Sequence, residues 1–104
     1  MAGPAGLPED AVSIGENVWV QRIGAYPSGE WVGVIEWHLD PAGELCGGYV
    51  AFAGFNGLTD RGQQPVERPT WTVVSLDPLT LAPSLQCLTC PHHGFIRDGK
   101  WLPA

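Results

Sequence analysis

From about residue 15 the apolar positions of this chain fall on alternate residues. The segments ENVWVQRI, WVGVIEWH, GYVAFAG and TWTVVSL are short, rich in Val, Ile, Trp and Tyr, and bounded by Gly, Pro, Asn or Asp. Such segments form strands, because β-branched and aromatic side chains fit a pleated, half-buried surface. In WVGVIEWH the period puts Trp31, Gly33, Ile35 and Trp37 on one face and Val32, Val34, Glu36 and His38 on the other, and one of these faces is core. Near the end, HGFIRDGKWLPA reads as a hairpin, with Asp98-Gly99 at the two positive-φ positions of a type I′ turn. No segment of helical length keeps a 3.6-residue period. The pattern predicts a mainly β protein: one small antiparallel β domain over residues 15–104, after a flexible Gly/Pro/Ala-rich arm at residues 1–14. FNGLTDRGQQPVERP, residues 55–69, carries no period and reads as a connecting or binding loop.

Composition narrows the picture. With 104 residues the chain is one domain by size, and such a chain buries about 60–68% of its unfolded surface, which leaves a thin core that a cross-link would help. Hydrophobic residues make up 44% and charged residues 15%, so this is an ordered chain and not a charge-driven disordered one. Its five tryptophans are the obvious core candidates. A formal charge of −6 with only five Lys and Arg argues against nucleic acid and against an anionic membrane surface, since both are held mainly by cationic side chains. MAGPAGLPED has no basic stretch followed by an apolar one, and no apolar run approaches membrane-spanning length, so a soluble, cytoplasmic protein is expected. In a reducing compartment an odd set of three cysteines points to metal ligation or free thiols over a disulfide framework.

The chemistry is concentrated in SLQCLTCPHHGF. Cys87-Leu-Thr-Cys90 has the spacing at which two thiolates of one tight turn take adjacent corners of a zinc tetrahedron. A closed site needs two more ligands, and Cys46, His38, His92 and His93 are the soft candidates. His38 and Cys46 flank LDPAGEL, a strand–turn–strand pattern that returns one towards the other and makes a second half-site. A thioredoxin-like redox pair would need its first cysteine at a helix N-terminus, and no helix is indicated here. A c-type haem site would need His directly after the second Cys, where Pro91 stands. The plain alternative is small buried cysteines beside surface histidines. His93, three residues past Cys90, would close the same knuckle, whereas His38 would tie together two distant parts of the chain. The expected structural zinc site is therefore His38, Cys46, Cys87 and Cys90, with His92 and His93 as the other possible fourth ligands. Trp37 and Trp101 are read as core or as walls of this cluster.

PLTLAPSLQCLTCPHHGFIRDGKW, together with the upstream Trp37-His38 and Leu45-Cys46-Gly47-Gly48, resembles a family of small bacterial and phage proteins called BubE-like. Some members belong to bacterial ubiquitin-like conjugation operons. The matching features are Pro83-Ser84-Leu85 after an L-T-L strand, Cys90 with His93 three residues on, Phe95-Ile96, Gly99 and Trp101. They cover about the last quarter of the chain, and the first 30 residues show none of them. The resemblance implies a compact β-rich, zinc-bearing domain and a serine-type peptidase that removes a ubiquitin-like protein, with Ser84 as nucleophile and His93 as its base. This chain departs from the operon members in lacking their denser cysteine cluster near His38, and in having His92 where they carry serine. Glu36, Asp40, Asp77 and Asp98 are the carboxylates available to orient the base. The alternative from another class is a non-catalytic zinc-binding interaction module, bacterial or phage-encoded, whose loop at residues 55–69 contacts a protein partner. Either way the expected partner is a protein, and the distance from Ser84 Oγ to His93 separates the two readings.

Overall fold

A computed structural model describes residues 3–25, 28–53 and 70–104 of the chain; the segment 55–69, expected to be a loop, lies outside the described residues. β1 (Val12–Gly15), β2 (Val18–Gly24), β3 (Trp31–Leu39) and β4 (Leu45–Ala51) form one sheet in that order. β5 (Thr72–Leu76) pairs with β6 (Leu79–Ala82), while β7 (Leu85–Gln86), β8 (His93–Arg97) and β9 (Lys100–Pro103) make a third sheet. Every pair of strands within the sheets is antiparallel. The protein is thus mainly β, and among the described residues no helix is long and apolar enough to cross a membrane.

The core joins all three sheets. Val18, Val34, Val50 and Phe52 meet Leu79 and Leu81 of β6, Leu85 of β7 and Ile96 of β8, and Ile14 closes it from β1. Strand β1 therefore takes Val12–Ile14 out of the segment read as an arm, because these residues pair with β2 and Ile14 is buried in the core, while Val12 stays exposed. In β3 the buried face is the one carrying Val34, Glu36 and His38, at 0%, 5% and 2% exposure. The aromatic face, with Trp31, Ile35 and Trp37, is only half-buried.

The tryptophans depart from expectation in the same way. None is among the buried core residues, and Trp31, Trp71 and Trp101 pack around the rim. Each indole carries an N–H that must find an acceptor, which a rim position supplies and an apolar centre does not. Trp31 donates to the Gly33 carbonyl, Trp37 to Gln21 Oε1 and Trp71 to the Ser84 carbonyl. Trp37, on the face opposite His38, is no wall of the cysteine and histidine cluster.

Two turns set the registers on which the site depends. Between β3 and β4, Asp40 Oδ1 accepts the N–H groups of Ala42 and Glu44 at 2.9 and 2.8 Å, and Gly43 takes the left-handed conformation at φ 83°. This turn puts His38 directly opposite Cys46. Between β8 and β9, Asp98 and Gly99 have φ of 51° and 73°, as the two-residue hairpin turn requires.

Candidate metal centre and serine–histidine pair

The β7–β8 connection, Cys87–His92, is a six-residue loop closed at its neck by the Cys87 N–H donating to the His92 carbonyl at 2.9 Å. It lays Cys87 and Cys90 against the β3–β4 hairpin. The potential ligand atoms of His38, Cys46, Cys87 and Cys90 all lie within 4.8 Å of one another, and His38 Nε2 is 3.2 Å from Cys90 Sγ. Tetrahedral zinc, with bonds of about 2.3 Å to sulfur and 2.0–2.1 Å to nitrogen, sets its donors roughly 3.5–3.8 Å apart. One of these separations is shorter than that spacing and none exceeds 4.8 Å, so the four groups could hold a metal ion after small adjustments. Three soft sulfurs and an imidazole disfavour magnesium or calcium, which take oxygen ligands. A shallow depression of about 300 Å³, lined by Leu39, Asp40, Pro41, Cys90, Pro91 and His92, opens the cluster to solvent at Cys90.

The polar groups around the sulfurs are arranged in a stack. Glu36, two residues before His38 on the same buried face, places both carboxylate oxygens 3.0 Å from His38 Nδ1. One of them, Oε2, is also 3.0 Å from His92 Nε2. The His92 ring lies between His38, 3.8 Å away, and Trp101, 4.3 Å away, nearly parallel to both. Burial lowers the basicity of both imidazoles: His38 is pulled down against the opposing effect of Asp40, and His92, pushed further by His38, falls to about 4. Both rings are thus neutral at pH 7, the form that binds metals and tolerates close stacking. Burial, and after it the Cys87 thiolate, pushes the Glu36 carboxyl up to about 8. An N–H donated by either imidazole favours the ionised carboxylate and opposes that rise. Hydrogen bonding by Thr89, through its side chain first and then its backbone, brings the Cys87 thiol down to about 7.

Ser84 and His93 sit at the stem of the same hairpin. Gln86 faces His93 and Leu85 faces Gly94, which puts Ser84 on the diagonal from His93. The His93 ring leans back along the strand, and its Nε2 lies 2.9 Å from Ser84 Oγ. The contact is exposed. Among the described residues no carboxylate orients His93: Glu36 is engaged by His38 and His92, Asp40 by its own turn, and neither Asp77 nor Asp98 bonds the ring. Neither the depression beside Cys90 nor a larger one of about 460 Å³, bounded by Gly15, Asn17, His92 and Trp101 among others, is lined by Ser84 or His93.

The geometry separates the three histidines: His38 joins the sulfurs, His92 joins Glu36 and Trp101, and His93 joins Ser84. Reading the sequence for ligands missed Glu36 and the stacking role of His92. The available signal was period two, which places Glu36 beside His38 on the valine face of β3. Compared with family models, with curated proteins and with solved structures, the chain matches none of them.

Proposed function

We propose that this chain is a zinc-stapled β domain acting as a serine-type hydrolase of amide bonds in a protein substrate, of the kind expected of peptidases that remove ubiquitin-like proteins. The observation carrying this reading is the 2.9 Å contact between Ser84 Oγ and His93 Nε2, at the stem of a hairpin whose tip carries three of the ligand and stacking residues, Cys87, Cys90 and His92. His38, Cys46, Cys87 and Cys90 would hold the zinc, which supplies a cross-link between β3–β4 and β7–β8 and takes no part in bond breaking.

The chemistry then belongs to the pair. With His93 protonated on Nδ1, Ser84 O–H donates to Nε2. As Oγ attacks the substrate carbonyl carbon, its proton passes to His93. The C–N bond breaks, His93 protonates the leaving amine, and an ester on Ser84 remains; water activated by the same imidazole hydrolyses that ester and restores the hydroxyl. Because the pair stands on an exposed sheet face and outside both depressions, it suits a polypeptide laid across the surface better than a small molecule held in a pocket.

Among the described residues no carboxylate orients His93, which favours a second reading, a non-catalytic zinc-binding interaction module in which Ser84 and His93 are an ordinary surface pair. Labelling with a fluorophosphonate probe decides between them. The first reading expects labelling of the wild-type chain that disappears in Ser84→Ala and in His93→Ala; no labelling of folded, zinc-loaded wild type would leave the interaction module.

A further inference from the structure

A metal-binding histidine must present a lone pair on one ring nitrogen, and the hydrogen bond made by the other nitrogen decides which one. His38 has Nε2 directed at Cys90 Sγ and Nδ1 directed at both oxygens of a carboxylate that is itself 5% exposed. An acceptor at Nδ1 selects the tautomer with the proton there and the lone pair on Nε2, on the side of the sulfurs. The same carboxylate faces Nε2 of His92, whose ring is fixed between His38 and Trp101. His92 precedes β8, and its carbonyl closes the knuckle through the Cys87 N–H.

We infer that Glu36 is the positioning residue of the metal centre: it accepts Nδ1–H of His38, fixing the ligand tautomer, and accepts Nε2–H of His92, tying the centre to the strand that carries His93. This rests on the metal-site reading of His38, Cys46, Cys87 and Cys90. It assigns His92 a bracket's role and not a ligand's. It also accounts for a buried carboxylate with both oxygens engaged and, among the described residues, no Lys or Arg paired with it. The other grouping of potential ligands, Glu36 with His38 and His92, shares the His38 ring but offers no sulfur. A soft divalent ion has the stronger claim on the thiolate side.

Glu36→Gln is the discriminating variant. It keeps the shape, but both oxygen positions lie 3.0 Å from His38 Nδ1, so in either amide orientation an NH2 donor faces that nitrogen, and the negative charge is gone. Zinc affinity, measured by competition with a chromophoric chelator, should fall by about ten- to a hundredfold, the usual loss when such an outer partner of a ligand is removed. Two further readouts separate positioning from simple structural support. Long-range 15N correlation spectra should show His38 protonated on Nδ1 in the wild type, with or without zinc, and a shift towards the Nε2–H form in Glu36→Gln. Cobalt-loaded wild type should show thiolate-to-cobalt charge transfer that weakens in Glu36→Gln while far-ultraviolet dichroism is unchanged. If Glu36→Gln does not fold, His92→Phe keeps the stack, removes one donor, and should retain the His38 tautomer with a smaller loss of affinity.

Unchanged affinity and tautomer in Glu36→Gln would overturn the inference while leaving the metal site intact. So would an Nε2–H His38 in the wild type. A wild type that binds no zinc would instead overturn the metal-site reading, and the tautomer measurement on metal-free protein would still judge Glu36. Cobalt bound without thiolate charge transfer would overturn both.

Discussion

The sheet β1–β4 and the sheet β7–β9 are held by different means. Strands β2, β3 and β4 run for seven to nine residues and pair along nearly their whole length, with Val18, Val34 and Val50 stacked beneath them. Strand β7 has two residues, and the six-residue loop after it buries no large apolar side chain; Leu88 at its tip is 99% exposed. Loop closure and backbone ordering cost free energy in both places, and only the first sheet offsets that cost locally through alternating apolar side chains. The second leans on Leu85 and Ile96 reaching the shared core, and on whatever holds the knuckle. Cys87 and Cys90 are placed where the apolar pattern runs out.

The sharpest way to break this comparison is to remove the metal. Structural zinc contributes on the order of 10 kcal/mol of coupled folding free energy in zinc-finger peptides, which is comparable to the whole stability of a domain of this size, about 5–15 kcal/mol. Chelation, or His38→Ala, should therefore abolish amide protection in β7–β9, at Cys87 and Gly94 above all, while β2 and β3 stay protected. Hydrogen exchange read residue by residue checks this. Loss of protection in both sheets together would make them one cooperative unit, and no change in either would end the idea of a metal staple.

A smaller effect sharpens the comparison from the packing side. Gly94 lies in β8 directly beneath Trp101; a Cβ there would stand 2.5 Å from the Leu102 carbonyl oxygen and 2.5 Å from the Trp101 ring. The backbone oxygen cannot swing away as a side chain can. Gly94→Ala should cost about 1–3 kcal/mol in zinc-loaded protein, the range for overpacking a fitted site. Urea unfolding measures it. Because Trp101 also backs the His92 ring, zinc affinity should fall along with stability. A loss of stability with affinity unchanged would show that the stack does not reach the metal.

Which parts were legible in the sequence follows the same division. The long strands announce themselves through period two, and the hairpin turns through Asp98-Gly99 and Asp40 with Gly43, because turn chemistry is local. The grouping of His38 with the three cysteines was legible because two local patterns, a C-x-x-C turn and a strand–turn–strand with His and Cys at its stem, each gave half of it. Strand β7 was not, since two residues have no period. The inward turn of Glu36 was hidden too. A carboxylate on an apolar face argues by itself for solvent, and only the convergence on it of His38, two residues along the same strand, and His92, 56 residues away in the chain, makes its burial tolerable. The tryptophans misled because hydrophobicity ranks them as core while their N–H groups hold them to the rim.

The smallest expected effect on stability falls at the site of the proposed chemistry. His93 is exposed, and its contact with Ser84 links two groups that water would also satisfy. His93→Ala should accordingly change unfolding free energy by no more than about 0.5 kcal/mol, the usual range for surface substitutions, and should leave zinc content at the wild-type value, because His38 completes the sulfur cluster without it. Labelling of Ser84 should nonetheless disappear. That combination, fold and metal intact with reactivity gone, is one that a surface hydrogen bond alone does not produce. If zinc were lost from His93→Ala and kept in His38→Ala, His93 would be the ligand and Ser84 would have no base. The knuckle would then close on itself, the two sheets would be held together by core packing alone, and the serine-hydrolase reading would give way to the interaction module.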